Sequence, residues 1–103
     1  MKITLKDLLT LKEDGGMTLE NGARVTYKRG YQVATEGKET RSARIALKYI
    51  EEYNGNCGVW YSKRVFYIDC SHYISNKKDA IRIGKVHNQL AIYNWKTGEC
   101  LYL

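Results

Sequence analysis

Apolar residues recur along this chain in two rhythms. From residue 23 to residue 28 the alternation is strict: Ala23, Val25 and Tyr27 fall on one side, and Arg24, Thr26 and Lys28 on the other. A period of two belongs to a strand with one buried face and one wet face, here a basic one. From Ser42 to Tyr53 the spacing is helical, with Ala43, Ala46, Leu47, Ile50 and Tyr53 on one stripe and Asn54-Gly55 as a left-handed stop. The helical rhythm returns after Ser75-Asn76, with Ala80, Ile83, Gly84 and His87 turned inward. Gly84 predicts a close approach to a strand, because a mid-helix glycine otherwise costs about 1 kcal/mol. Near the start, Thr4 and Asp7 have capping-box spacing and open a short helix carrying Leu5, Leu8 and Leu9. Glu13-Asp14-Gly15-Gly16 closes it as a polar loop.

The remaining strand-like runs are set off by turn residues. Met17–Glu20 meets residues 23–27 across Asn21-Gly22, the pair a type I′ hairpin favours. Tyr31–Ala34 returns after Gly30, and residues 36–39 read as a loop. Val59–Tyr61 and Val65–Ile68 flank Ser62-Lys63-Arg64, and Leu90–Trp95 and Cys100–Leu103 form a last hairpin. The predicted fold is α+β, a single domain over residues 1–103 with an antiparallel sheet and two helices packed on one face. Residues 1–16 hold the short helix and loop.

A weak duplication organises the rest. At an offset of thirty-five, Lys28-Arg29 falls on Lys63-Arg64, Tyr31 on Phe66, Val33 on Ile68 and Trp60 on Trp95. At thirty-four, Ala46 falls on Ala80, Leu47 on Ile81 and Asn54 on Asn88, so one residue slips between strand and helix. The unit reads as strand, basic turn, strand, helix: residues 23–56, then 57–103 with the final hairpin. It predicts both Lys-Arg pairs exposed at hairpin tips.

Charge sharpens the picture. Residues 1–22 carry three Lys and four acidic residues, whereas residues 23–103 carry fourteen Lys or Arg against seven acids. A basic body favours polyanionic partners. The cations beside aromatics form the candidate binding set: Arg24, Lys28, Arg29, Tyr31, Trp60, Tyr61, Lys63, Arg64 and Trp95. Cations attract phosphates, and flat rings stack on bases or anchor interfaces.

Enzyme chemistry finds less support. Cys57, Cys70, His72, His87 and Cys100 include zinc-ligand types, but only Cys70 and His72 are closely spaced, so neither zinc nor a disulfide is expected. Asp69 and Cys70 would face opposite sides of a strand, which spoils a triad with His72. No phosphate-cradling glycine motif is present, and no cofactor is implied. Gly58-Val59-Trp60-Tyr61 with Tyr67-Ile68-Asp69 resembles the hairpin of GIY-YIG nucleases. The glycine that motif requires is Asp69 here, and its arginine has no placed counterpart. No apolar run approaches a membrane span, and the cysteine pattern suits a reducing cytoplasm.

The strings Gly30–Ala34, Glu51–Tyr61 and Tyr67–Asp69 resemble small proteins of Gram-positive phages and mobile elements. That resemblance, over residues 30–95, implies an inhibitor of host defence of anti-CRISPR type, acting non-enzymatically on a protein or nucleoprotein effector. Two other readings stay open: a sponge for a signalling nucleotide, and a small nucleic-acid-binding module. Nine tyrosines and an apolar last strand also favour a homodimer, formed through the open sheet face or that strand.

Overall fold

The computed structural model describes residues 2–103. In chain order the elements are α1 (Leu5–Leu9), β1 (Gly15–Glu20), β2 (Ala23–Val25), β3 (Tyr31–Thr40), α2 (Ala43–Glu52), β4 (Cys57–Ser62), β5 (Val65–Ile74), α3 (Lys77–Val86), β6 (Ala91–Asn94) and β7 (Glu99–Tyr102). This is the α+β order that the patterning predicts. Local signals act where the sequence puts them. Thr4 and Asp7 close a reciprocal capping box on α1. Ser42 and Asn76 cap α2 and α3 by accepting from the amides of Ile45 and Asp79. Asn21 and Gly22 take φ of 51° and 82° and turn β1 into β2.

The seven strands form one curled antiparallel sheet in the order β2-β1-β4-β5-β3-β6-β7. Beneath α2, Ala46 and Ile50 pack with Leu19, Val59, Phe66 and Ile68, and Leu8 of α1 joins them. Under α3, Ala80 packs with Val33 and Ile92. Each large side chain so buried contributes about 1.5–3 kcal/mol relative to exposure. Gly84 makes the close approach its position predicts: a Cβ there would stand 2.7 Å from Leu103 Cδ1 and 3.0 Å from Ile92 Cγ2.

The central strands β3 and β5 are neighbours. β3 and β4 both run antiparallel to β5 and are joined through α2; β5 and β6 both run antiparallel to β3 and are joined through α3. Two split βαβ units therefore interlock, the connectivity called ferredoxin-like. The β3–β5 register is two-fold: Val33↔His72 has its counterpart in Lys38↔Ile68, and Tyr31↔Ile74 in Thr40↔Phe66. One extra residue in β3, a bulge at Thr35 between Ala34 and Glu36, absorbs the slip from thirty-five to thirty-four.

Two expectations need correcting. Residues 36–39 are not a loop but the second half of β3. The bulge reverses which side chains face the helices, so the alternation does not carry across it. Lys28-Arg29 is also not a hairpin tip. β2 pairs only with β1, and β3 lies between β5 and β6, so residues 26–30 travel from the sheet edge to its interior. The related units are strand–helix–strand, residues 31–62 and 65–94, rather than strand–turn–strand–helix.

Candidate functional site on the helix-free face

The helices cover one face of the sheet and leave the other bare. On β4, Cys57 and Val59 enter the core, so Gly58 and Trp60 project from the bare face; on β5, Phe66 and Ile68 enter it, so Tyr67 and Asp69 project. Trp60 and Tyr67 are direct cross-strand neighbours and expose 47% and 37% of their surface. Gly16, opposite Trp60 on β1, makes room for the indole: a Cβ there would lie 2.9 Å from Trp60 Cε3.

One step along the sheet, Thr18, Gly58, Asp69 and Gly37 stand in a row across β1, β4, β5 and β3. The glycines on both sides leave the Asp69 carboxylate on a cleared floor, and a Cβ on Gly37 would come 2.6 Å from its Oδ1. Thr18, Gly58 and Asp69 of this row, with Trp60, Gln32 and Trp95, line a hollow of about 680 Å³. Among the described residues the carboxylate has neither a hydrogen bond nor an ion pair. The residue is exposed overall, but the surrounding walls strip water from the carboxylate, and this desolvation pushes its pKa above the usual range.

A carboxyl whose folded pKa is raised opposes folding at every pH where the folded state must carry the charge. The penalty is absent below the ordinary value of 3.8, grows as pH rises through the raised one, and is complete above it. Asp69→Asn is therefore expected to melt higher than the parent at pH 7, with the difference shrinking toward pH 3. A melting temperature at pH 7 equal to or below the parent's would reject the assignment.

The far end of the face is filled. Tyr27, on the crossing segment, stacks on Tyr73 with centroids 4.0 Å apart, and meets Trp95 edge-on at 5.5 Å. Tyr93 packs edge-on against Trp95 at 5.0 Å. Trp95 Nε1 donates to Gln32 Oε1 at 3.1 Å, and Gln32 Nε2 donates to Ser71 Oγ at 3.1 Å. The Tyr27 hydroxyl donates to Glu20 at 2.8 Å. Burial first, then this acceptor, pushes its pKa up to about 12. The Tyr73 hydroxyl donates to the Arg29 carbonyl at 2.9 Å; Gly30, with φ 92°, fits beneath that ring because any Cβ would strike it.

The basic residues rim this surface. Lys28 and Arg29 are exposed on the crossing segment, and Lys63 and Arg64 are exposed at the β4–β5 turn, so both pairs reach solvent as expected. Lys63 and Arg64 take φ of 53° and 66°. Two consecutive side chains in this region cost roughly 1–2 kcal/mol each. The same turn between β1 and β2 uses Asn-Gly. Glu13 accepts from the Lys63 amide and Asp14 from the Ser62 hydroxyl, pinning the turn. Arg24 is exposed on β2 and lines the rim of the hollow as well as a cleft beside α1. There the Asp7 carboxyl lies below its ordinary pKa, chiefly through hydrogen bonds from Thr4 and less through Arg24 and Lys6.

Of the sequence-derived candidates, Trp60 and Trp95 share the bare face, and Arg24, Lys28, Arg29, Lys63 and Arg64 surround it. Tyr31 and Tyr61 do not belong with them. Tyr61 packs on the helix side against Phe66, centroids 4.6 Å apart, and Tyr31 packs into the cluster under α3. Sequence reasoning missed Tyr67 and Asp69 as site residues, although Phe66 and Ile68 in the core turn both outward by period two. It had no means of finding Gly37, which lies beyond the bulge.

Cys57 lies opposite Cys70, and burial pushes its pKa up to about 12, so it is a thiol at neutral pH. Cys70 Sγ lies 3.6 Å from His72 Nε2, but among the described residues no three His, Cys, Asp or Glu side chains converge. No protein-family model, curated protein or solved structure matches the chain. Among the described residues no helix is long and apolar enough to cross a membrane.

Proposed function

We propose that this is a non-enzymatic binding protein whose helix-free face takes single-stranded nucleic acid, free or carried by a nucleoprotein effector of host defence. The observation that carries the reading is the exposed Trp60–Tyr67 pair beside a cationic turn held in a costly conformation. Bare rings on a sheet give stacking platforms that any base can use. Strain that persists in a fold is a pointer to function rather than to stability. The eight residue steps from Val65 to Tyr73 span about 27 Å. That places Lys63-Arg64 and Lys28-Arg29 near opposite ends of a path long enough for a strand of several nucleotides. A lone signalling nucleotide would use one stack and one cationic end, and leave the other idle.

The test is anisotropy of a labelled oligonucleotide over a salt series. Four phosphate contacts, one from each of Lys28, Arg29, Lys63 and Arg64, are expected to give a slope of log K against log salt of about −3. Replacing either pair with alanine should remove about half of it. Absence of binding, or a slope near zero, would overturn the reading.

With the bare face so occupied, the edge of β7 is the surface left for self-association. Tyr102 of this edge strand is 78% exposed beside unpaired backbone groups, and Leu90, just before β6, is 84% exposed. Light scattering at micromolar concentration is expected to give twice the 11.9 kDa chain mass. A monomer mass throughout would reject the homodimer.

A further inference from the structure

Independently of strand binding, we infer that Cys70 is a peroxide-reactive thiol that closes a reversible disulfide with Cys57, and that His72 is the base that takes its proton.

The register makes the pair. Cys57 and Cys70 stand directly opposite each other on β4 and β5, and both turn to the helix side of the sheet. Opposed residues in an antiparallel ladder alternate between hydrogen-bonded and non-hydrogen-bonded pairs. The Ser71 amide donates to the Asn56 carbonyl at 3.1 Å, so Asn56 and Ser71 form a hydrogen-bonded pair. The next pair along, Cys57↔Cys70, is therefore of the non-hydrogen-bonded kind. Such pairs hold their Cα atoms about 4.5 Å apart with the side chains close, inside the range of about 4.4–6.8 Å that a disulfide spans. A bond between the two sulfurs then needs side-chain rotation rather than movement of a strand.

Three neighbours set Cys70 apart. His72 Nε2 stands 3.6 Å from its Sγ, within reach of the thiol proton. The bulge at Thr35 lies against it: β3 pairs Ala34 with Ser71 and Glu36 with Cys70, and the Thr35 hydroxyl donates to the Cys70 carbonyl at 3.4 Å. Bulges recur beside reactive groups, where they re-aim side chains. The Tyr53 hydroxyl, in the same cluster, is buried and has no hydrogen-bond partner among the described residues. Burial first and Glu36 next raise its pKa, and Cys70 adds to the rise, so the hydroxyl feels that sulfur. An oxygen carried on Cys70 Sγ would be an acceptor for it. The other thiols are placed differently. Cys57 is sealed in the core, whereas Cys70 is half-buried and open to a small oxidant. Cys100 is exposed but stands opposite Tyr93, with no thiol facing it.

The steps balance. His72 takes the Cys70 proton, and the thiolate attacks one oxygen of hydrogen peroxide. The O–O bond breaks, the second oxygen leaves with that proton as water, and Cys70 becomes a sulfenic acid. The Cys57 sulfur then attacks Cys70 Sγ. The S–O bond breaks, and the hydroxyl departs with the Cys57 proton as a second water. Two thiols are oxidised to one disulfide, and one peroxide is reduced to two waters.

The test uses the Cys100→Ser chain, treated with hydrogen peroxide in native buffer at neutral pH, then alkylated with iodoacetamide in denaturant. The expected product has lost about 2 Da and carries no alkyl group. Its digest should contain the Cys57–Cys70 link, and dithiothreitol should return both thiols. Cys57→Ser in the same background should instead give a dimedone adduct on Cys70. His72→Ala, checked by circular dichroism, should slow the loss of thiols about 10-fold or more. An unchanged rate would overturn the role of His72. Two free thiols after peroxide, or a sulfinic Cys70 beside a free Cys57, would overturn the disulfide.

Discussion

Trp60→Ala is expected to weaken binding of single strands by about 10- to 100-fold while leaving the fold intact. Stacking of one base on an aromatic ring contributes about 1–3 kcal/mol, and each 1.4 kcal/mol is a factor of ten in affinity. Trp60 lies over Gly16 on the bare face with nearly half of its surface open, so removing it creates little cavity. Trp95→Ala is the control. That indole is packed by Tyr27 and Tyr93 and hydrogen-bonded to Gln32, so its loss should lower the melting temperature first. Binding by titration and melting by circular dichroism separate the two. An unchanged affinity for Trp60→Ala would remove the stacking platform from the proposal.

Gly55→Ala is expected to cost about 2–5 kcal/mol, reaching the upper end for a single substitution. Two causes add. Gly55 has φ of 74°, where a Cβ alone costs roughly 1–2 kcal/mol. A Cβ there would also meet backbone rather than a yielding side chain, 2.6 Å from Gly22 Cα and 2.8 Å from the Asn21 carbonyl carbon. The Gly22 amide donates to the Gly55 carbonyl at 3.1 Å, so the end of α2 and the β1–β2 turn are locked together at that point. Overpacking against such a joint adds about 1–3 kcal/mol. Asn54→Ala isolates the first cause, since Asn54 has φ of 56° but is exposed. Chemical denaturation should therefore show a loss for Gly55→Ala at least twice that for Asn54→Ala. Equal losses would mean that the joint carries no load.

These variants divide along the line between local and tertiary causes. The element order was legible in the sequence because each signal acts within a few residues. The Thr4–Asp7 box, the Ser42 and Asn76 caps, the Asn21-Gly22 turn and the helical stripe of Ala46 and Ile50 all needed no knowledge of the rest of the chain. The duplication was legible too, including its one-residue slip, because repeated units keep their core positions: Val33 and Ile68 are both fully buried, as are Ala46 and Ala80. Strand pairing was not. Whether Lys28-Arg29 caps a hairpin or rides on a crossing segment depends on which strand β3 meets. That partner, β5, lies some thirty residues away in the chain.

Period, capping and charge are local properties, so the inventory of elements, the basic body and the exposure of the Lys-Arg pairs could be read from residue order alone. Which aromatics face outward depended on the assembled sheet. The bulge at Thr35 reverses the facing of β3, and the two helices choose one side of the sheet, packing the half-buried Tyr31 and Tyr61 against the core and leaving Trp60, Tyr67 and Asp69 on the other. The cleared floor around Asp69 arises the same way. Gly37 and Gly58 are far apart in the chain and become neighbours of Asp69 only through the register of β3, β4 and β5, because a row across a sheet is set by hydrogen-bond pairing between strands rather than by spacing along one.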